Sequence, residues 1–324
     1  MSKAIRIHKA GGPEVMHYED VSVGNPGPGE VKLRQHAIGL NYIDVYFRSG
    51  QYPVAAYPFT PGNEGAGEII AIGKGVKDFA EGDRVAYAGS LGGYAEERLI
   101  EAKFLVKIPE RISYETGAAM MLKGLTAQYL LRRTFRVKKG DTILVHAAAG
   151  GVGLILCQWA QALGVTVIGT VGSEEKAVLA KKAGARHVIL YNSENFAERV
   201  KDITKGKLCE VVYDGVGKAT FPASLDCLAP MGTFVSFGAA SGQIDNFNLA
   251  LLGQKGSLFA TRPTLFNYIA LREDLDKMAR ELIKVILSGD VEIPIHATYK
   301  LADVAKAHVA LEGRATTGAT ILLP

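Results

Sequence analysis

The chain has 324 residues, of which 48% are hydrophobic and 22% charged, an ordinary composition for a globular protein with room for two domains. The formal net charge of +4 is spread along the sequence, so charge gives no reason to expect binding to nucleic acid or to an anionic membrane. No apolar run approaches the roughly 20 residues that a membrane helix needs, and the first six residues lack the apolar core of a signal peptide. We therefore expect a cytoplasmic protein without membrane or nucleic-acid partners.

Residues 1–123 predict a compact, mostly β domain. Short β-like runs alternate with turn signals such as Gly11-Gly12-Pro13, the segment 25–29 and Gly73-Lys74-Gly75. One short helix is expected within this domain, over residues 41–47, with Gly50 placed to end it.

The segment from Val145 to Gly153 joins an apolar run to a helical pattern through residues that have almost no side chains. Ala148, Gly150 and Gly153 occupy the three positions of the G-x-G-x-x-G spacing, with alanine in place of the first glycine. A dinucleotide pyrophosphate needs backbone N–H groups and a helix N-terminus pointed at it, and a Cβ in the turn would hold the phosphates away. A β-branched run follows the helix at 165–171 and completes a βαβ unit. We therefore favour a dinucleotide-binding turn over a tight turn without a ligand.

The alternation of strands and helices continues to residue 261. Ser173 can cap a helix that ends before Gly184, and Ser193 can cap another that runs toward Thr204. Further strands are expected at 187–191, 209–213, 232–238 and 257–261, with a helix from Thr220 to Leu228. This pattern predicts an α/β fold with a doubly wound parallel sheet, whose ligands lie beyond the carboxyl ends of the strands.

The last 59 residues or so have a different pattern. A charged helix is expected at 271–287, a strand at 293–299, a helix at 303–311 and a strand at 317–323. Because a late strand needs sheet partners, we expect the C-terminus to return to the first domain, with the active site in the cleft between domains. The predicted division is 1–123 and 266–324 for the catalytic domain, around an inserted nucleotide-binding domain at 124–265.

Several motifs resemble the signature of the medium-chain dehydrogenase/reductase superfamily. The segments that carry this resemblance are 62–69, 73–76 and 82–85. With 41–46, 123–127, 147–153 and 236–238, the chain resembles the quinone oxidoreductase branch, the NADPH:quinone reductases related to zeta-crystallin. The resemblance covers nearly the whole chain. It implies a GroES-like catalytic domain, an inserted Rossmann domain and a homodimer.

The chain departs from the zinc alcohol dehydrogenases of this superfamily, which place a histidine ligand where it has Asn63. Asparagine is a poor zinc ligand, and Glu64 alone cannot hold a catalytic zinc. Cys157, Cys209 and Cys227 all fall in the predicted nucleotide-binding domain and form neither a C-x-x-C pair nor a ligand cluster. We therefore expect no metal. Without a Lewis acid, reduction of a conjugated acceptor is favoured over alcohol oxidation.

The end of the second Rossmann strand favours NADPH as the cofactor. NAD-selective folds place Asp or Glu there to bind the ribose, whereas this chain has Gly172-Ser173, although Glu174-Glu175 follows at once. Ser173 and backbone N–H groups can donate to a 2′-phosphate, and Lys176 can supply a charge. The resemblance also assigns Lys176 and Tyr191 to that phosphate. The alternative is a surface lysine and a surface tyrosine.

Substrate chemistry is expected at Tyr46 and Tyr52. Two phenols can sandwich or edge-pack a planar quinone and donate hydrogen bonds to its carbonyl oxygens. The alternative interpretation is that each tyrosine is an ordinary core residue. The resemblance favours a role at the substrate site. Asn41, which the resemblance places against the nicotinamide and ribose, and Asp44 complete the catalytic candidates. Asp44 and Arg48, spaced i,i+4, have a surface ion pair as the alternative.

Other residues are expected to contact the cofactor. Lys123 approaches the nicotinamide ribose or faces solvent before the next helix, and Phe237 and Gly238 end a strand where backbone faces the cofactor. Arg262 and Arg314 reach a phosphate or form ion pairs. The full set of cofactor candidates is Asn41, Tyr46, Lys123, Thr126, Gly150, Gly151, Val152, Gly153, Gly172, Ser173, Lys176, Tyr191, Val216, Phe237, Gly238, Arg262 and Arg314.

The sequence thus predicts an enzyme that transfers hydride from NADPH to a quinone without zinc. One alternative is an NADPH-dependent reductase of the C=C bond in an enone or alkenal, which would use the same cofactor geometry. A second alternative is a non-catalytic nucleotide-binding protein with a structural or RNA-binding role, which the zeta-crystallin resemblance allows. The chain has no basic-aromatic patch that would support RNA binding.

Overall fold

The structure is a computed structural model that describes residues 1–313 and 316–324. The chain divides into two compact units. The first unit comprises Met1–Leu125, Leu271–Ala279 and Ile293–Pro324, and the second comprises Thr126–Ala270 and Arg280–Glu292. The domain boundaries inferred from sequence stay a prediction. The compact units differ from them chiefly at residues 280–292, which group with the second unit rather than the first.

The helices in the described part of the chain are mostly short. They are α1 (Tyr42–Arg48), α2 (Tyr114–Tyr129), α3 (Gly151–Ala162), α4 (Glu174–Lys182), α5 (Phe196–Ile203), α6 (Ala250–Gln254), α7 (Leu265–Tyr268), α8 (Arg272–Leu287) and α9 (Val304–Glu312). None of these helices combines the length and the apolar character that crossing a bilayer needs.

The strands of the first unit build mainly antiparallel sheet. They are β1 (Ser2–Ile7), β2 (Met16–Val21), β3 (Glu30–Leu40), β4 (Glu64–Ile72), β5 (Arg84–Ala88), β6 (Glu97–Glu101) and β7 (Leu105–Lys107), with two late strands at Ile295–Lys300 and Ala319–Leu323. The strand Ala319–Leu323 pairs antiparallel with β3, Thr320 lying opposite Leu40. The expectation that the C-terminal strand joins the first sheet is therefore confirmed.

The central strand β3 explains where the polar site of this unit lies. In its first half, buried residues such as Val31 and Leu33 alternate with more exposed ones, as expected for a strand with one covered face. From Ala37 to Leu40 every residue is buried, so both faces of the strand are covered at this end. The chain then leaves the sheet at Asn41 and enters α1 inside the unit, where polar groups need hydrogen-bond partners.

The second unit contains a parallel sheet with helices in its connections. Its strands are β8 (Thr142–Val145), β9 (Thr166–Val171), β10 (His187–Leu190), β11 (Cys209–Asp214), β12 (Leu228–Ser236) and β13 (Phe259–Thr261). Completing the series, the late strands of the first unit are β14 (Ile295–Lys300) and β15 (Ala319–Leu323). Within the described residues the spatial order is β10-β9-β8-β11-β12-β13, and each neighbouring pair is parallel. The predicted Rossmann sheet is confirmed, and the strand order reverses between β8 and β11.

Two predicted helices differ from the structure. Helix α5 is capped by Asn195, whose side chain accepts hydrogen bonds from the next turn, and not by Ser193. The predicted helix from Thr220 to Leu228 is only a short 3₁₀ turn at Ala223–Cys227. Pro222 lacks an N–H group and cannot continue a helical hydrogen-bond pattern, which accounts for the shorter element.

Candidate active site

The turn between β8 and α3 presents backbone N–H groups at the carboxyl end of the central strand. Gly150 is the N-cap of α3 and makes no side-chain cap, and the first-turn amides of a helix have no intrahelical acceptors. A Cβ on Gly153 would lie 2.4 Å from the Ala147 carbonyl oxygen, so packing requires glycine there. On Gly150 a Cβ would meet only that oxygen, at 3.2 Å. The turn that contains Gly150, Gly151, Val152 and Gly153 therefore fits a phosphate against bare backbone.

Three of the four residues expected to contact a 2′-phosphate, Gly172, Ser173 and Tyr191, come together at the ends of β9 and β10, and the backbone N–H of Lys176 joins them. Ser173 is the N-cap of α4, and its Oγ accepts from the Lys176 N–H at 3.4 Å. A Cβ on Gly172 would lie 2.7 Å from the Tyr191 hydroxyl, so the phenol lies directly over this glycine. Asn192, which we did not predict, donates to the Gly172 carbonyl at 2.7 Å. The Glu175 carboxylate also takes part, since a hydrogen bond with the Ser173 side chain lowers the pKa of Glu175.

The loop after β11 is held by the buried carboxylate of Asp214. One carboxylate oxygen accepts from the N–H groups of Val216, at 2.7 Å, and Gly217, at 3.0 Å. The Asp214 carbonyl also accepts from the Phe237 N–H at 2.8 Å. A Cβ on Gly238 would lie 2.5 Å from the Gly215 carbonyl oxygen, so this loop and the end of β12 are in close contact. The structure therefore brings Val216, Phe237 and Gly238 together.

The two predicted arginines have different outcomes. Arg262 is exposed, and its Nη1 donates to the Ser236 carbonyl at 2.8 Å, next to Phe237. Arg314 lies outside the described residues, so its predicted role stays a prediction. Thr126 is buried in α2 beside Tyr129, whose pKa is raised by burial and lowered in part by a hydrogen bond with Thr126.

A buried histidine that the sequence analysis missed connects three strand ends of the second unit. His146 Nδ1 lies 2.9 Å from the Thr170 hydroxyl, and Nε2 lies 3.0 Å from the Ser224 hydroxyl. Both Ser224 and Thr220 donate to Asp214, at 3.3 Å and 2.6 Å. Burial lowers the pKa of His146, so its imidazole is neutral. The sequence feature that could have identified His146 is its position directly after the first Rossmann strand.

In the first unit, α1 begins at Asn41 and surrounds a buried carboxylate. Asp44 Oδ2 accepts from the Asn41 backbone N–H and the Tyr94 hydroxyl, both at 3.0 Å, and Oδ1 accepts from Asn63 Nδ2 at 2.9 Å. Burial raises the pKa of Asp44 to about 6, while these three donors oppose the shift. Asp44 is fully buried and its oxygens are engaged, so its contacts are with the protein. No motif or spacing in the sequence indicated a role for Tyr94.

A second buried carboxylate holds the side chains of Asn41 and Lys123. Asn41 Nδ2 donates to Glu64 Oε2 at 2.7 Å, and Lys123 Nζ lies 3.3 Å from the same oxygen. Lys123 also donates to the Leu40 carbonyl at 3.1 Å. The interpretation that Lys123 faces solvent before a helix is wrong, because this lysine is 6% exposed and lies inside α2.

The two candidate substrate tyrosines contact each other. The ring centroids of Tyr46 and Tyr52 lie 5.1 Å apart at an interplanar angle of 50°, within the roughly 4.5–7 Å range of directly touching rings. Tyr42 packs on the other side of Tyr46 at 5.4 Å. A planar ring cannot fit between Tyr46 and Tyr52, so the sandwich arrangement is wrong. The edge-packing arrangement is compatible with this geometry.

Arg48 forms no surface ion pair with Asp44. The Arg48 side chain is 2% exposed and pairs instead with Glu312, at 2.8 Å from Nη2 to Oε1. Asp44 faces Asn63 and Tyr94. The predicted i,i+4 pair is therefore wrong, because both side chains turn into the unit toward partners distant in sequence.

Comparisons with known proteins give one consistent family. Residues 27–110 match the family model described as alcohol dehydrogenase GroES-like domain, and residues 151–284 match that of zinc-binding dehydrogenase. Quinone oxidoreductase of Pseudomonas aeruginosa is 54% identical over all of both chains. A crystal structure of Escherichia coli quinone oxidoreductase complexed with NADPH superposes with a TM-score of 0.98 at 47% identity, covering 99% of this chain and 100% of that one. The 2-haloacrylate reductase of a Burkholderia species is 45% identical, covering 100% of this chain and 99% of its own.

The chain belongs to the quinone oxidoreductase family of the medium-chain dehydrogenase/reductase superfamily. The resemblance found in the sequence is confirmed, including the GroES-like and Rossmann components.

The donor set of this family member does not suit zinc in the described part of the chain. No group of three or more His, Cys, Asp or Glu side chains there could hold a metal ion. Asn63 is buried, and its side-chain amide donates a hydrogen bond to Asp44. Cys157, Cys209 and Cys227 are buried in the second unit, and burial raises the pKa of the Cys157 thiol to about 12. The zinc in the family-model description is therefore not matched by ligands here.

The glycines of the α3 turn lead to a testable contrast in stability. Gly153→Ala should lower the free energy of unfolding by about 1–3 kcal/mol, because its Cβ would overlap backbone atoms. Gly150→Ala should cost about 1 kcal/mol or less, because its Cβ would have one tight contact, 3.2 Å from the Ala147 carbonyl oxygen, and no overlap. Denaturant unfolding followed by fluorescence of Trp159, the single tryptophan, measures both. Equal losses in the two variants would contradict the turn geometry.

Proposed function

We propose that this protein is an NADPH:quinone reductase that works without zinc as a cytoplasmic homodimer. The observation that carries the proposal is the glycine-lined N-terminus of α3 together with a β9 end that offers Gly172 and Ser173 beside Tyr191, with Lys176 in the helix that follows. The NADPH-complexed relative and the quinone oxidoreductase relatives support the same cofactor and acceptor. The three buried, unpaired cysteines suit a reducing compartment.

The residues present fit NADPH group by group. The amides of the 150–153 turn would hold the pyrophosphate, because Gly150 and Gly151 at its start have no Cβ to keep the phosphates away. Gly172, Ser173, Lys176 and Tyr191 would hold the 2′-phosphate. We assign the remaining contacts to the following residues: Asn41, Tyr46, Lys123, Thr126, Val216, Phe237, Gly238 and Arg262.

When bound, NADPH supplies the hydride that reduces the acceptor. The protein orients the reacting partners and places hydrogen-bond donors where negative charge develops on the acceptor oxygens. We assign this donor role to Tyr46 and Tyr52, whose touching rings offer a flat apolar surface against which a quinone can pack. Asp44 keeps no free oxygen for a substrate, so we assign it a positioning role instead of a catalytic one.

The alternative that the acceptor is a conjugated C=C bond has one observation in its favour, the 2-haloacrylate reductase relative. The quinone assignment is preferred because the P. aeruginosa relative is more similar over the whole chain. The two reactions require the same cofactor site, so only a comparison of acceptor substrates can distinguish them.

The proposed function predicts the outcome of an acceptor panel. With NADPH as donor, kcat/KM for benzoquinones and naphthoquinones should exceed that for 2-haloacrylates, enones and alkenals. Turnover should survive dialysis against a chelator, since no zinc ligand set is expected. Spectrophotometric NADPH oxidation measures all of these rates. Fast reduction of a haloacrylate or an enone with inert quinones would replace the assignment by the alternative, and NADPH binding without any turnover would favour a non-catalytic role.

Lys176 should determine the preference for NADPH over NADH. Lys176→Ala should reduce this preference by about 10- to 100-fold, the cost of one charge-assisted hydrogen bond to a phosphate. Lys182→Ala is the matched control, since it removes an exposed lysine at the other end of α4. Measuring kcat/KM with both cofactors gives the preference. An unchanged ratio in Lys176→Ala would remove this residue from the 2′-phosphate site.

The homodimer is supported by the edge strand β13. Its residues Phe259 to Thr261 are exposed, and Phe259 pairs with Thr233 of β12 two residues beyond the exposed Met231. An exposed edge strand has unpaired N–H and C=O groups that a second copy can pair in a twofold arrangement. Phe259→Lys should therefore shift the protein toward monomer in size-exclusion chromatography with light scattering. Val178→Lys, which changes an exposed apolar residue on α4, should leave the mass unchanged. A monomeric wild-type protein would contradict this part of the proposal.

A further inference from the structure

A continuous chain of hydrogen bonds runs from the half-buried Glu312 to the buried Asp44 in the first unit. Arg48 forms a bidentate pair with Glu312, both contacts at 2.8 Å, and its Nη1 lies 2.9 Å from His308 Nδ1. His308 Nε2 lies 3.0 Å from the Tyr94 hydroxyl, which donates to Asp44 Oδ2 at 3.0 Å. Apart from Glu312, every side chain in this chain is almost fully buried.

The chemistry of the two ends allows only one direction for these hydrogen bonds. A guanidinium can only donate, so His308 Nδ1 must be the acceptor and the imidazole proton must be on Nε2. Nε2–H then donates to Tyr94, which leaves the tyrosine proton for Asp44. Burial and the Arg48 charge lower the pKa of His308 to about 3, so the ring stays neutral in this arrangement.

The end of this chain lies next to the proposed nicotinamide contacts. Asp44 also accepts from the Asn41 backbone N–H and from Asn63. Asn41 in turn donates through its side chain to Glu64, which lies 3.3 Å from Lys123. The position of the Asn41 amide therefore depends on Asp44 remaining an acceptor.

We infer that Arg48 and His308 are positioning residues of the cofactor site, which keep Asp44 ionised and thereby keep Asn41 placed for the nicotinamide. The inference rests on the proposed function for the role of Asn41. The directed hydrogen bonds themselves are independent of that role.

Protonation of Asp44 would conflict with the direction of the chain. A protonated carboxyl group needs an acceptor, and Tyr94 could accept only if its own proton turned toward His308 Nε2. His308 would then carry its proton on Nδ1, which faces the donating Nη1 of Arg48. Arg48 thus opposes protonation of Asp44 at Oδ2, the oxygen that faces Tyr94, through two intervening side chains. The Asp44 pKa of about 6 places this competition close to neutral pH.

Several other groups act on Asp44 from the elements packed around it. Asn63 and Tyr94 donate to it, the positive charge of Lys123 favours ionisation, and the negative charge of Glu64 lies beyond Asn41. Tyr87 is a further buried hydroxyl nearby, and it donates to Gln35. Among these groups, the Tyr94 hydroxyl is the one through which Arg48 and His308 act.

The test compares the pH dependence of NADPH affinity in two buried tyrosine variants. Tyr94→Phe removes the hydroxyl that links His308 to Asp44, and Tyr87→Phe removes an equally buried hydroxyl that bonds to Gln35 instead. Fluorescence titration with NADPH between pH 5 and 8 gives the affinity for each variant. The 2′-phosphate of NADPH itself titrates near pH 6. Because this titration affects both variants equally, the comparison with Tyr87→Phe removes it.

In Tyr94→Phe the midpoint of the affinity loss at low pH should move upward by about one pH unit relative to Tyr87→Phe, since the carboxylate loses one donor. His308→Leu should move the midpoint in the same direction by a smaller amount, because Tyr94 can still donate to Asp44 but is no longer oriented by His308. His308→Gln should restore the wild-type midpoint, because its amide can accept from Arg48 and donate to Tyr94. Midpoints in Tyr94→Phe and His308→Leu that coincide with that of Tyr87→Phe would overturn the inference and leave a purely structural network.

A second measurement does not depend on cofactor binding or turnover. ¹⁵N NMR of the imidazoles, with the His308 signals identified by their absence in His308→Gln, should show a neutral ring protonated on Nε2 from pH 5 to 8. A proton on Nδ1 would overturn the inference. If the wild-type protein reduces no quinone, the proposed function fails, but the tautomer and the pH comparison still report on Arg48 and His308.

Discussion

The organisation of the first unit depends on the buried carboxylate of Asp44. A buried carboxylate is costly unless donors replace the lost water, and it receives donors from three separate segments: Asn41 at the end of β3, Asn63 before β4 and Tyr94 before β6. These hydrogen bonds hold each segment in place, because the loss of any one donor would leave the negative charge of Asp44 poorly compensated. The raised pKa of Asp44 indicates that even three donors offset the burial only in part.

The second unit uses the same physical device. Asp214 is fully buried at the end of β11 and collects the N–H groups of Val216 and Gly217 together with the Thr220 hydroxyl. His146 extends this arrangement through Ser224 to the neighbouring strand ends. In each unit a buried acid, Asp44 in α1 and Asp214 at the end of β11, orders segments that we assign to the cofactor. The loops can then remain open to a ligand while their bases are fixed.

The family position of Asn63 has a direct structural consequence. The zinc alcohol dehydrogenases of this superfamily have a histidine ligand there, whereas this chain has an amide that donates to Asp44. The segment that would hold a metal in those enzymes is therefore part of the carboxylate network. The carboxylate of Glu64, the next residue, likewise accepts from the side chains of Asn41 and Lys123. The substitution thus changes both the expected chemistry and the way in which the site is built.

The sequence by itself determined the features that depend on near neighbours. The glycine turn before α3, the Ser173 cap of α4, the alternation of strands and helices in the Rossmann unit and the family resemblance all follow from local spacing and periodicity. Only the tertiary structure decided the partners of buried polar groups: Arg48 pairs with Glu312, 264 residues away, and Lys123 with Glu64. A hydrogen-bonded turn is specified by consecutive residues, whereas a buried charge takes its partner from whichever segment the closed fold brings beside it.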